Sequence, residues 1–153
     1  MSMRTRFQEE LKKAQYARDE LKLGTLRLIM AAMKDRDIAA RPSGNRDGIT
    51  DDEILSMMQG MIKQRQESIK MYEAGRRQDL VDREAAEIKI IETFLPAQLS
   101  EPEMKSAIEQ SIQGLGASGI KDMGKVMAEL KAKYAGQMDF GRASGMVKEK
   151  LVG

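Results

Sequence analysis

The sequence predicts an all-α protein, an N-terminal bundle of about four helices followed by a small three-helix C-terminal domain. Three observations carry this expectation. Ala, Met, Glu, Lys and Leu abound, while the chain has three Pro, three Phe, three Tyr and no Trp, which favours helix over sheet. Apolar residues recur at helical spacing along most of the chain. Two capping boxes, Thr50 with Glu53 and Ser100 with Glu103, mark helix starts, because the hydroxyl accepts from an early backbone N–H while the Glu reaches back to the cap.

A first helix runs from about Thr5 to Ala17 with Phe7, Leu11 and Ala14 on one face, and a second from Leu21 to about Ala39 with Leu26, Ile29, Met30 and Met33 in register. ARPSGNRDGI gathers Pro42, Gly44 and Gly48 among polar residues and is expected to be a mobile loop. The Thr50 box opens a long helix striped by Ile54, Met58, Met61, Ile62, Ile69 and Tyr72, and Gly75 ends it. A fourth helix carries Leu80, Ile88, Ile91 and Leu95.

FLPAQLSEPE marks a boundary. Pro96 stops one helix at the residue before it and Ser100 caps the next, so the domains are expected at 1–96 and 100–153 with 97–99 as linker. Helix five places Met104, Ile108, Ser111, Ile112 and Leu115 at the required spacing before GLGASG breaks it. Two short helices follow.

The composition excludes much chemistry. With no Cys and no His there is no disulfide, thiolate nucleophile, Cys/His zinc site, Ser-His-Asp triad or imidazole base. No GxSxG, SxxK or GxxxxGK[ST] motif points to acyl or phosphoryl transfer. The 24 carboxylates read as solvated helix surface. No cofactor and no metal is expected. A net charge of +2 rules out a polycationic coat, so any basic face is local. No apolar run reaches membrane-spanning length, and MSMRTRFQEEL has no hydrophobic signal core and carries acids too early for a good transit peptide. The expectation is a cytoplasmic protein with no membrane association.

DMGK and DFGR lie seventeen residues apart near the C-terminus. The second holds the letters of a kinase magnesium loop, but 153 residues without histidine lack the remaining kinase motifs. Asp122 and Asp139 each precede an apolar run, Met123, Val126, Met127, Leu130 and Tyr134 in one case, Phe140, Ala143, Val147 and Leu151 in the other, so both read as N-caps. In both, a glycine, Gly124 or Gly141, leaves the helix mouth uncovered, and a cation, Lys125 or Arg142, occupies the third position. A cation there opposes the helix dipole, yet free N–H groups beside a basic side chain make a phosphate seat. Residues 119–153 hold seven bases against four acids, a local balance of +3. Lys125 and Arg142 are the candidate phosphate contacts, with Lys121, Lys131, Lys133 and Lys148 adding diffuse attraction. Both lie on the sides of their helices turned from the apolar stripe, and neither is expected to be needed for folding. A solvated face of a small helical domain is the plainer reading of the same charges.

Thirteen methionines are many. Met30, Met33, Met58, Met61, Met104, Met123 and Met127 read as core by their register, whereas Met57 and Met71 fall off the stripe and suggest a second apolar face on the long helix.

KDMGKVM with its following Gly and short basic helix, preceded by ETFLPAQLSEPE and by KQRQESIKMYEAGRRQDLVDREAAEIKIIETFLP, resembles the GatB/YqeY family, specifically its free-standing YqeY-like members, over essentially the whole chain. The resemblance implies a helical domain joined to a three-helix unit similar to the tail of the B subunit of the glutamine-dependent aminoacyl-tRNA amidotransferase, a tail that helps hold tRNA. It associates the family with carbon-nitrogen ligase chemistry using glutamine as amide donor. The ATP-handling cradle and the amidase of that enzyme have no counterpart in these residues. Where family members often carry a basic residue after the glycine following the middle tail helix, this chain has Gly136-Gln137. The expected role is a non-catalytic tRNA-binding or amidotransferase-like accessory protein, with tRNA and a translation-related protein as partners. A protein-interaction module without nucleic acid is the rival, and an enzyme in its own right ranks last.

Overall fold

The computed structural model describes residues 1–152. Among them every regular element is helical: α1 (Met3–Ala17), α2 (Glu20–Ala40), α3 (Asp51–Ala74), α4 (Gln78–Glu92), α5 (Glu101–Leu115), α6 (Met123–Lys133) and α7 (Phe140–Val152), with short 3₁₀ turns at Arg41–Ser43 and Ile120–Asp122. The chain divides into two compact units between Leu95 and Pro96.

The first unit is built from α1 to α4. Local sequence starts its helices: Ser2 accepts from the Thr5 N–H, Asp19 from the Lys22 N–H, and Thr50 with Glu53 closes a full capping box. Phe7, Leu26, Ile29, Ile54, Met58 and Ile91 are wholly buried. Phe7 meets Phe94 edge to face at 5.2 Å, and Arg6 stacks 4.9 Å over Phe94 while donating to the Thr93 carbonyl. Met57 belongs to this core; it lies off the stripe expected of a helix with one neighbour, but α3 packs on α1, α2 and α4 and needs a wider apolar arc. Met71 is exposed.

The buried face of α4 is turned from the one its sequence suggests. Val81, Glu87, Ile91 and, just beyond the helix, Phe94 are buried, whereas Leu80, Ile88 and Leu95 are only half-buried. Glu87 is drawn in by Arg65 of α3, whose Nε donates to it at 2.9 Å while Nη1 donates to the Met61 carbonyl. A buried carboxylate is tolerated because a guanidinium and its hydrogen bonds satisfy it.

The 41–49 segment, expected to be mobile, is tied at both ends. Asn45 closes a turn with Gly48 through both its amide oxygen and its amide nitrogen. Asp37 Oδ1 accepts from the Ile49 N–H, and Arg4 bridges Asp37 in a two-pronged pair at 2.8 Å while donating to the Ile49 carbonyl. Ile49 is buried as a result. Gly48 has φ of 93°, and a Cβ there would stand 2.6 Å from the Arg4 guanidinium, so glycine is required by both backbone and packing.

The second unit packs α5, α6 and α7 around Ile108, Val126, Leu130, Met138, Ala143 and Val147. Ser100 and Glu103 close the second capping box. Residues 97–99, expected as a linker, are bonded into this unit: the Leu99 N–H donates to the Gln137 carbonyl and the Gln98 amide to the Gly136 carbonyl. The Gly136-Gln137 pair is thereby a structural turn, with Gly136 at φ 75° and buried.

Candidate nucleic-acid interface

Two ion pairs set the order of the second unit. Arg142 at the start of α7 pairs with Glu101 at the start of α5, and Lys150 near the end of α7 pairs with Glu109 at 2.7 Å. Hence α5 and α7 run parallel and finish at the same end. There the chain leaves α5, forms the 3₁₀ turn Ile120–Asp122 against α7, and enters α6. Lys121, Lys125 and Lys148 therefore share that end. Lys131 and Lys133, in the last turn of α6, and Arg142 lie toward the other, because six residues of helix separate Lys125 from Lys131 by about 9 Å along the axis.

The six cations also differ in their partners. Lys133 bonds Glu129 at 2.8 Å, and Glu129 accepts from the buried Ser111 hydroxyl as well, so its carboxyl lies below its ordinary range, first through Lys133 and then through Ser111. Arg142 is engaged with Glu101. Lys121, Lys125, Lys131 and Lys148 are exposed and enter no salt bridge among the described residues. Arg142, expected to be dispensable for folding, bridges α7 to α5 through a pair exposed on both sides, a kind of contact that adds little to stability.

The helix mouths are unlike each other. Asp139 caps α7, its Oδ1 accepting from the N–H groups of Gly141 at 2.9 Å and Arg142 at 3.3 Å, so a carboxylate already occupies the anion position. Asp122 does not cap α6. It ends the 3₁₀ turn in helical conformation, with φ −91° and ψ 0°, and no side chain caps the α6 amides. Its Oδ2 instead accepts from the Ser118 N–H, and that bond, followed by the nearby Lys125 and Lys121, lowers the Asp122 carboxyl below its ordinary range. An N-cap needs extended backbone to aim its oxygen at the third amide; the 3₁₀ turn denies Asp122 that geometry. Gly124 is exposed and a Cβ there would meet nothing within 4 Å. The α6 mouth thus has no side-chain cap and is flanked by two lysines, the 3₁₀ turn taking up the Met123 N–H through the Ile120 carbonyl.

Among the described residues no group of three or more His, Cys, Asp or Glu converges as metal ligands, and no helix is long and apolar enough to cross a membrane.

Against known families, a model described as Yqey-like protein matches residues 4–151. The chain belongs to the YqeY-like family. Among its curated relatives is the protein named "Altered inheritance of mitochondria protein 41, mitochondrial". The Pyrenophora tritici-repentis form is 27% identical over 135 residues, covering 86% of this chain and 71% of that protein. The Kluyveromyces lactis form is 34% identical over 90 residues, 58% of this chain and 46% of its own length. A Saccharomyces cerevisiae form is 35% identical over 88 residues, 56% and 44% respectively. The chain thus spans less than half of these two yeast proteins. The matched span includes the FLPAQLS and KDMGKVM stretches: the first passes from the core residue Phe94 into the Ser100 cap, and the second is the α6 mouth itself.

Proposed function

We propose that this YqeY-like protein is a non-catalytic accessory protein that binds tRNA through the α6 end of its second unit. The observation that carries the reading is the α6 mouth with no side-chain cap, where exposed Lys121 and Lys125 flank an unshielded Gly124 and Lys148 lies at the same end. Helix amides and mobile ammonium groups complement a phosphodiester backbone without base readout, which fits a ligand recognised by shape and charge. Lys131, Lys133 and Arg142 contribute from the other end, the latter two after exchanging Glu129 and Glu101 for phosphate. Carbon-nitrogen ligase chemistry belongs to the wider family neighbourhood and is assigned to a partner in translation, not to this chain. The cytoplasm is the proposed compartment, whereas the relatives carry mitochondrial in their names.

The test is amide-resolved titration of the full chain with unmodified tRNA. Shifts centred on Gly124, Lys125 and Lys121, and lost in a Lys121→Gln, Lys125→Gln variant, support the reading. Shifts confined to the first unit, or unaltered by the variant, overturn it.

A further inference from the structure

The second helix of the first unit is apolar on two sides. Its inner side supplies Leu26, Ile29 and Met33 to the core. On the opposite side Leu21, Gly24, Leu28, Ala31, Asp35 and Ile38 follow one another at alternating spacings of three and four, the pattern by which one helix receives another. The three large members are open to solvent, Leu21 at 42% and Leu28 and Ile38 at 48% each. Gly24 meets nothing within 4 Å, so the small residues between them permit close approach of a second backbone. Beside this seam, between α2 and α3, runs a shallow groove of about 290 Å³ over Ala32, Met57, Gly60 and Met61, with Asp35, Arg36 and Gln64 also lining it. Methionines on such a floor adapt to an incoming side chain.

Charge selects the occupant. Arg27, Lys34 and Arg41 recur every seven residues along one border of the seam, after Glu20, and Arg36 stands on the other. No salt bridge engages these four cations among the described residues, and Asp35 is the acid within the seam itself. A second copy laid antiparallel on this face would set Arg27 against the second copy's Lys34 but also Glu20 against its Arg41, so charge gives self-pairing no net advantage, whereas an acidic border would meet every one of the four cations favourably. We infer that the outer face of α2, with the adjoining α2–α3 groove, docks an amphipathic helix of a partner protein whose apolar stripe is bordered by Asp and Glu.

This surface is separate from the RNA reading and is tested separately. The probe is a synthetic helical peptide of about three heptads with Leu at the two seam positions and Glu at the flanking ones, compared with its Lys-flanked counterpart and a scrambled acidic control. Fluorescence anisotropy with the full chain should give binding to the Glu peptide alone, and amide shifts should centre on Gly24, Leu28, Ala31 and Gly60. Leu28→Glu should weaken binding about tenfold or more. Arg27→Glu with Lys34→Glu should transfer the preference to the Lys peptide, which a merely sticky apolar patch would not do. Both variants alter exposed residues, and circular dichroism should show them folded. Equal binding of all three peptides, indifference to both variants, Leu28-dependent self-association in sedimentation, or Leu28-dependent binding to phosphatidylglycerol vesicles in place of peptide would each overturn the inference.

Discussion

Replacing Asp37 by Asn removes the negative charge from the junction that anchors the 41–49 segment. The carboxylate accepts two bonds from Arg4 and one from the Ile49 N–H, all at 2.8 Å. The Arg4 bonds, foremost among the causes, hold its carboxyl at about 2, below the ordinary 3.8. A depression of that size corresponds to at most about 2.5 kcal/mol at neutral pH. With 21% of the Asp37 and 32% of the Arg4 side chain exposed, solvent screening reduces this to about 1 kcal/mol. The sign follows from the lowered folded value: the contribution is complete above the unfolded value and fades as pH falls through the folded one. For a helical unit of this size the loss should lower the melting temperature by about 4–8 °C. Urea unfolding followed by circular dichroism, wild type against Asp37→Asn, should show a gap at pH 7 that narrows between about pH 4 and pH 2. A gap equally wide at pH 2, or none at pH 7, would refute the reasoning.

Glu87→Ala should cost about 1–3 kcal/mol in the same unfolding assay, because the half-buried Arg65 is left with Glu84, 3.9 Å away, as its remaining acid. Asp139→Ala should cost about 0.5–2 kcal/mol and Asp139→Asn much less, since Asp139 caps α7 through its acceptor oxygen. Asp122→Ala should cost less than Asp139→Ala, and a larger loss would restore a capping role that its bond to Ser118 denies it. Arg76, at φ 56° after α3, should gain about 0.5–1 kcal/mol on replacement by Gly, measured by thermal melting.

Features decided within four residues were legible in the sequence. Thr50 and Ser100 cap as their spacing with Glu53 and Glu103 requires, and the main core stripes follow helical period. What failed was set by distant partners. The 41–49 segment looks free because its anchors, Asp37 and Arg4, belong to other helices. Glu87 looks like surface until Arg65, twenty-two residues earlier, reaches it. Asp122 and Asp139 look alike in sequence, but a 3₁₀ turn ahead of α6 redirects only the first. In the sequence Lys125 and Arg142 read as equivalent phosphate contacts with Lys121, Lys131, Lys133 and Lys148 diffuse around them; the parallel course of α5 and α7, invisible in a linear charge count, divides the six between two ends of the unit. The outward seam on α2 is masked in the sequence because the inner stripe already satisfies the helical period, although Leu21, Leu28 and Ile38, seven and ten residues apart, fall on one side of the helix.

The central claim, that the α6 mouth seats RNA phosphates, is tested most directly by the salt dependence of tRNA binding. The affinity of wild-type protein should fall steeply as salt rises, and Lys121→Gln with Lys125→Gln should flatten the slope of log K against log salt by about two, one for each lost phosphate contact, with the melting temperature unchanged. Salt-insensitive binding by the wild type, no binding at low ionic strength, or the same slope in both proteins would contradict it.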